Sequence, residues 1–313
     1  MENGQSAELL KKAYDKLKAV DLTAACTLLE QALDLDFENE EIKHALKCVH
    51  WWLEHTRRIE EIKNPFEKGS QFITYLKPYN VFLEQFDAVY DQCQYAVRFY
   101  VFSRALFFFE GLLGNHANRQ DPDLLLLTGR CYKGLGNYEE ALKYLEQAVQ
   151  IKREDAQTLA EVADINALLA QTKAAKALFR EAFFLDPSKI DIRSLESALI
   201  QKLREKVCEL GINEEDVCEW IPVYGYLWGV FSVKRELKQT EAGRLKQSIF
   251  SLEAEYEANP SRREKLKPRL LNHYFWLIDH YEISREDSSL IEETLLKIKV
   301  TAPDIYNIFI PVK

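Results

Sequence analysis

Small residues recur at the same two intervals, twelve positions and then seven, in three places along the chain. The three sets are Ala13, Ala25 and Ala32; Gly129, Ala141 and Ala148; and Ala163, Ala175 and Ala182. The last two sets lie thirty-four positions apart, and residues around them also correspond, as Leu145 does to Phe179 and Ile151 to Leu185. Self-similarity of this period predicts a supersecondary unit that is repeated along the chain.

The spacing of these small residues is typical of paired helices. A small residue on a first helix lets a second helix approach closely, and residues seven apart lie two turns apart on one face. Gly136 and Asn137 supply the turn between the helices, where the backbone must tolerate a positive φ. Asp186 and Pro187 end the second helix of the later repeat.

Residues 122–155 resemble a tetratricopeptide repeat (TPR), whose consensus contains Trp, Gly, Tyr, Ala, Phe and Pro at fixed positions. The matching residues are Gly129, Tyr132, Ala141 and Ala148, with Leu125, Leu145 and Arg153 at the Trp, Phe and Pro positions. Residues 156–189 match through Ala163, Ala175, Phe179, Ala182 and Pro187. Residues 6–39 match more weakly, because Val20 replaces the turn glycine. The resemblance implies an all-α fold, a TPR-like helical-hairpin solenoid with an α-helical C-terminal cap. The alternative is an ordinary antiparallel helical bundle.

We therefore expect a TPR-like repeat region over residues 1–189 and a helical C-terminal region over residues 190–313 stacked on it. Residues 40–121 have room for two degenerate repeats and fourteen further residues. Residues 41–63 predict one long helix, which Asn64 and Pro65 end. Residues 66–78 predict an irregular insertion, and residues 81–113 a helix pair or one bent helix.

The sequence pattern of the C-terminal region predicts further helices. Residues 190–210 indicate an amphipathic helix that covers the last repeat, and Asn213 is an expected N-cap. Helices are also expected over residues 231–256, 268–281 and 287–300, with Pro268 starting its helix. Residues 220–231 fit a helix or a loop. Five large apolar residues follow Pro303, and we expect most of them to be covered near residues 274–281; docking into a second copy, which gives a homodimer, is the alternative.

Composition narrows the class of protein. The 313 residues carry 41 basic and 50 acidic side chains, a net charge of −9, which disfavours nucleic acid as a partner. We expect no membrane span, because the most apolar stretch is short and contains Arg104 and Glu110. The first 25 residues contain no apolar region typical of a secretory signal. Six cysteines at irregular separations predict free thiols in the reducing cytoplasm.

No pattern in the chain points to a reaction. GxSxG, HExxH and phosphate-binding glycine motifs do not occur. His273 and His280 lie two turns apart on one helix, too far to share an ion, and His50 and His55 point to different faces. We accordingly predict a protein that is not an enzyme and has no cofactor and no metal site.

The resemblance implies a binding groove lined by the first helix of each repeat. Helical phase places nine candidates in it: Leu10, Tyr14, Leu17, Leu126, Arg130, Lys133, Ala160, Asp164 and Ala167. A subgroup of the family grips a peptide carboxylate with cationic and amide side chains. The corresponding positions here include Glu161, Asp164 and Asp191, which would repel an acidic chaperone tail, so we predict no carboxylate clamp.

These observations predict a cytoplasmic, non-enzymatic adaptor or scaffold that holds a protein or peptide partner in its groove. The alternative is a regulator that senses a ligand or nucleic acid through its C-terminal helices. A basic stripe that joins residues 262–269 to Arg235 and Lys238 would favour the alternative. A groove of apolar character would favour the adaptor.

Overall fold

The computed structural model describes residues 2–312, with side chains for residues 4–310. Within that range the regular elements are all helical and there is no β-strand, so the predicted all-α class with TPR-like helical hairpins is confirmed. The chain divides between Ile151 and Lys152 into two compact units. The repeat at residues 156–189 therefore lies in the same unit as the C-terminal helices.

The first unit consists of eight α-helices in the described part of the chain and one short 3-10 helix, His116–Asn118. The α-helices are α1 (Glu2–Lys18), α2 (Leu22–Leu35), α3 (Glu40–Glu60), α4 (Pro65–Thr74), α5 (Leu76–Leu83), α6 (Asp91–Leu113), α7 (Pro122–Gly134) and α8 (Tyr138–Ile151). Helices α1 and α2 form one antiparallel hairpin, and α7 and α8 form another. Helix α6 packs against α1, α4 and α7, so it forms the centre of this unit.

Residues 65–83 are helical, and the predicted irregular insertion is wrong. Asn64 caps α4 by accepting a hydrogen bond from the Phe66 amide at 2.9 Å, and Pro65 occupies the first helical position. Phe72 and Tyr79, one on each short helix, are buried in the core, where Tyr79 packs beside Trp52 and Phe72 beside Tyr100. The aromatic side chains therefore stabilise two helices that Gly69 and Pro78 disfavour locally.

Residues 81–113, for which the sequence predicts a helix pair or one bent helix, contain the end of one helix, a connection and one long helix. Helix α5 ends at Leu83, residues 84–90 are not helical, and α6 begins at Asp91. Phe86 and Tyr90 in this connection pack their rings on His44 of α3, at 5.0 and 5.2 Å between centroids. Burial of these aromatic rings holds the connection against α3, and no local sequence pattern shows that contact.

The second unit contains the hairpin α9 (Ala156–Leu168) and α10 (Thr172–Leu185), followed by the C-terminal helices. These are α11 (Ala198–Glu209), α12 (Val217–Leu227), α13 (Gln239–Ala258), α14 (Arg263–Ser284), α15 (Ser288–Thr301) and α16 (Pro303–Val312). Three short 3-10 helices, Pro187–Lys189, Ile192–Ser194 and Pro260–Arg262, lie between them. Helices α11 and α12 pack against the α9–α10 hairpin, so helices that follow the repeat cover it.

Several helix limits in this unit differ from prediction. Residues 190–197 are not one continuous helix, because buried Asp164 accepts the Glu196 and Ser197 amides at 2.8 Å and α11 begins only at Ala198. Asp216, not Asn213, precedes α12. Phe231 packs on Phe183, which keeps residues 231–238 outside α13.

Pro268 was expected to start a helix but lies inside α14, which begins at Arg263. In the second turn the proline removes one helical hydrogen bond, and the burial of neighbouring Leu270 and Leu271 offsets that loss. Asp287 caps α15 by accepting the Ser289 amide at 3.0 Å, which agrees with the predicted helix over residues 287–300.

A buried polar network links α10 to the C-terminal helices. Arg180 forms an ion pair with Asp279, and both side chains are almost fully buried. Asp279 also accepts the Tyr226 hydroxyl at 2.8 Å and pairs with Lys234 at 2.7 Å. Arg180 lies 4.3 Å above the Trp276 ring and donates to the Val233 carbonyl at 2.8 Å. Because each charge in this network is partnered, the network can be buried.

The tail after Pro303 is a helix, which the sequence reading did not foresee. Proline at its first position suits the start of α16. Ile305 and Phe309 are buried, and Phe309 stacks on Phe275 at 5.0 Å between ring centroids. Ile308 and Ile310 are 43% and 41% exposed. The predicted docking near residues 274–281 is confirmed, because Tyr306 is also partly buried and all five apolar side chains are more than half covered.

None of the described helices combines the length and the apolar character needed to cross a membrane.

Candidate functional site

A cleft of about 760 Å³ lies between α1 and the start of α6 in the first unit. Leu10 and Tyr14, two of the predicted groove residues, form part of its wall. Tyr95 stands at the opposite side and is 60% exposed. The cleft therefore has an apolar floor and an accessible aromatic ring at its edge.

The charges around this cleft are mixed. Lys11 and Lys18 contribute positive charge, and the lining also contains Asp15, Glu41 and Asp91. Lys18 pairs with Asp15 at 2.7 Å. The remaining groups leave both signs of charge at the rim, which suits a polar peptide chain better than a uniformly charged ligand.

Tyr14 connects the cleft wall to α3. Its hydroxyl donates a hydrogen bond to the Glu41 carboxylate at 2.9 Å. Burial, followed by the negative charges that surround the ring, raises the pKa of Tyr14 far above its usual range. The phenol is therefore neutral at physiological pH and acts as a donor that fixes the position of Glu41.

The other predicted groove positions differ in accessibility. Leu17 and Ala160 are fully enclosed, and Asp164 holds the amides before α11. These three side chains have packing or capping roles. Lys133 is also buried, whereas Leu126, Arg130 and Ala167 are partly exposed. The assignment of all nine residues to one groove stays a prediction.

Two of the three acidic residues at the clamp positions, Glu161 and Asp164, accept internal hydrogen bonds. Glu161 is buried and accepts from Ser194 at 2.8 Å and from Gln157 at 3.0 Å. Asp164 binds backbone amides as described. These carboxylates stabilise the segment that follows the repeat. They therefore contribute to folding, in addition to the predicted repulsion of an acidic peptide.

A cluster that the sequence reading missed lies beneath the cleft. His44, Cys48 and Cys93 are all buried, and their ligand atoms lie within 4.8 Å of one another. The thiol of Cys93 donates toward the Cys48 sulfur, which lowers the pKa of Cys48 and raises that of Cys93. The four-residue spacing of His44 and Cys48 was a visible signal. The third member comes from α6, so only the tertiary structure assembles the set.

The histidines that were weighed as metal ligands have other contacts. The His273 ring nitrogen lies 2.8 Å from the Arg269 carbonyl, and His280 lies 3.2 Å from the Ser284 hydroxyl. The His55 ring stacks on Trp51 at 3.6 Å and lies 2.7 Å from the Trp51 carbonyl. His50 lies near Cys26 and Glu30, in a second and more exposed group.

Most of the basic stripe at the C-terminal helices is paired with carboxylates. Arg269 contacts Asp186 and Glu219, and Arg235 contacts Glu181 and Glu241. The chain also pairs Arg262 with Glu255 and Lys267 with Glu264. Cations that are already neutralised release few counterions from a phosphate backbone. This pairing does not favour the nucleic-acid alternative.

Comparison with known families identifies residues 122–155 as a tetratricopeptide repeat. These residues coincide with the second of the three predicted repeats, so the resemblance is confirmed there. Repeats of this kind generally bind other proteins and serve as non-enzymatic scaffolds. No curated protein sequence matches the chain.

Proposed function

We propose that this protein is a non-enzymatic adaptor that binds a peptide segment of a protein partner in the cleft between α1 and α6. The observation that supports this most is the cleft itself, which is lined by the first helix of a TPR-like hairpin together with α3 and α6 and has an apolar floor with charges of both signs. A largely preformed cleft binds a peptide at little ordering cost to the receptor.

The proposal extends to the cellular compartment and to the number of copies. The four buried cysteines are free thiols, which suits a reducing cytoplasm. The apolar tail packs on its own chain through Phe309. A second copy of the protein is therefore not needed to cover the tail.

The partner can be found by affinity capture with matched variants, followed by mass spectrometry. The cleft variant combines Lys11→Glu with Tyr95→Ala, both at exposed lining positions. The control combines Lys16→Glu with Phe107→Ala, which replace a lysine and an exposed aromatic residue on the same two helices outside the cleft lining.

The proposal predicts at least one protein that wild type and control retain and the cleft variant loses. Calorimetry with the corresponding peptide should show weaker binding to the cleft variant by about 10-fold or more, the usual cost of an interface aromatic. Equal binding by all three proteins would place the site elsewhere. Capture of nucleic acid that depends on Arg235 and Lys238 would support the regulator instead.

A further inference from the structure

We propose that His44, Cys48 and Cys93 bind a zinc ion that joins α3 to α6 inside the first unit. Two of the ligands lie four residues apart on α3, so their side chains project from one face of that helix. Cys93 lies in the first turn of α6. Three ligands on two rigid helices form a better-defined site than ligands on loops.

The distances suit a small ion. In a tetrahedral zinc site, Zn–S bonds of about 2.3 Å and Zn–N bonds of about 2.0 Å place neighbouring ligand atoms roughly 3.5–3.8 Å apart. The Cys48 sulfur lies 3.8 Å from each ring nitrogen of His44, and all three ligand atoms lie within 4.8 Å of one another. These separations are close to those between neighbouring ligands of a tetrahedral site.

Tyr79 lies beside this cluster. Its side chain is 1% exposed, and its hydroxyl interacts with the Cys48 sulfur and with Gln94 but has no partner at full hydrogen-bond geometry. A buried polar group without a partner costs free energy. An ion at this position gives the oxygen a partner, either directly or through a bound water.

The donor set selects the type of metal. Two thiols and an imidazole favour a soft or borderline ion over calcium or magnesium, which require oxygen ligands. When zinc binds, the two thiols lose their protons to solvent, and the two thiolates balance the charge of the dication. A neutral site suits the burial of all three side chains, whereas a copper(I) ion would leave one negative charge buried.

Zinc bound here would also stiffen the cleft floor. Cys93 lies between cleft residues Gln92 and Tyr95 in sequence, and His44 lies one turn after Glu41. The zinc site does not depend on what occupies the cleft, so the two proposals can be tested separately.

The test uses the full chain without a histidine tag, reduced, stripped with a chelator and then titrated with zinc. We expect one zinc per chain by elemental analysis and a higher Tm in the loaded protein. Cobalt added in place of zinc should give the thiolate-to-cobalt absorption of a tetrahedral site. This spectrum is measured on wild type, so it does not depend on the folding of any variant.

Variants then locate the ion. Cys48→Ala and Cys93→Ala should each weaken zinc binding by at least about 100-fold, since even outer-shell partners change affinity by 10- to 100-fold. Cys131→Ala, another buried thiol of this unit, should leave binding unchanged, as should His50→Ala in the second cluster. Circular dichroism checks that each variant is folded.

Two results would overturn the proposal. One is reduced wild-type protein that takes up no zinc and shows no cobalt–thiolate absorption. The other is zinc binding that survives the loss of Cys48 and Cys93, or that is lost with His50.

Discussion

Alanine and glycine determine how closely the paired helices approach one another. A Cβ atom on Gly129 would lie 2.6 Å from the Leu145 side chain, so no larger residue fits without movement. Ala141, Ala148, Ala175 and Ala182 are fully buried, as the repeat pattern predicts. The same physical requirement explains why small residues recur at fixed intervals: each one lies at a helix–helix contact.

Replacing Ala175 by Leu should therefore destabilise the second unit. The added side chain has no space at the contact between α9 and α10, and such overpacking costs about 1–3 kcal/mol. Urea denaturation measures the change, with Ala174→Leu at the neighbouring exposed position as the control. Equal stability of the two variants would contradict the packing.

His273 makes stability depend on pH. Burial lowers the pKa of His273 from 6.5 to about 4, and its ring is held by the Arg269 carbonyl. Between these two values the unfolded chain binds a proton that the folded chain does not, so stability decreases as pH falls from 6.5 to 4. His273→Gln should reduce this dependence, whereas His116→Gln, at an exposed position, should not. Denaturation midpoints from pH 7 to pH 4.5 test the difference.

At the scale of the element, the three hairpins share one turn geometry. Val20, Gly136 and Ala170 have positive φ values of 65°, 79° and 60°. In each turn, the residue that follows the one with positive φ donates its backbone amide to the carbonyl of the residue five positions before it, at 2.8–2.9 Å. This is the Schellman motif, which normally has glycine at the left-handed position. Two of the three hairpins therefore keep the turn with a strained residue in place of glycine.

Ala170→Gly should stabilise the protein by about 1 kcal/mol, because glycine adopts this conformation without the steric cost of a Cβ atom. The matched control is Ala254→Gly, at an exposed position inside α13, which should cost about 1 kcal/mol. Thermal unfolding of both variants and of wild type measures the two changes in stability, which should have opposite signs. A loss of stability in Ala170→Gly would be inconsistent with a left-handed turn.

At the scale of the whole molecule, helix α16 closes the core of the second unit. Removing residues 303–313 exposes Phe275 and the apolar side chains around it. We expect a lower Tm and increased binding of a hydrophobic dye, with no change of oligomeric state. The double variant Ile308→Ser with Ile310→Ser, at partly exposed positions, should keep the wild-type Tm. A truncated chain with unchanged stability would show that α16 contributes little to the core.

The sequence by itself determined the helical hairpins. Their signal is local, because the spacing of Ala141 and Ala148, the glycine at the turn and the capping residues all act within thirty-four positions. The same helical periodicity places Leu10 and Tyr14 together on one face of α1, where they line the cleft, while their role in a binding groove stays a prediction. Even Val20, which departs from the consensus, adopts the turn that its position in the repeat predicts.

Only the tertiary structure decided the elements and sites that depend on distant residues. Residues 190–197 leave the helix because Asp164, more than twenty positions earlier, binds their amides. Residues 65–83 are helical because Phe72 and Tyr79 are buried against other helices. His44 and Cys48 meet Cys93 only when α3 and α6 pack. Such contacts carry no signature within one segment, since the free energy that favours them comes from burial between segments far apart in the chain.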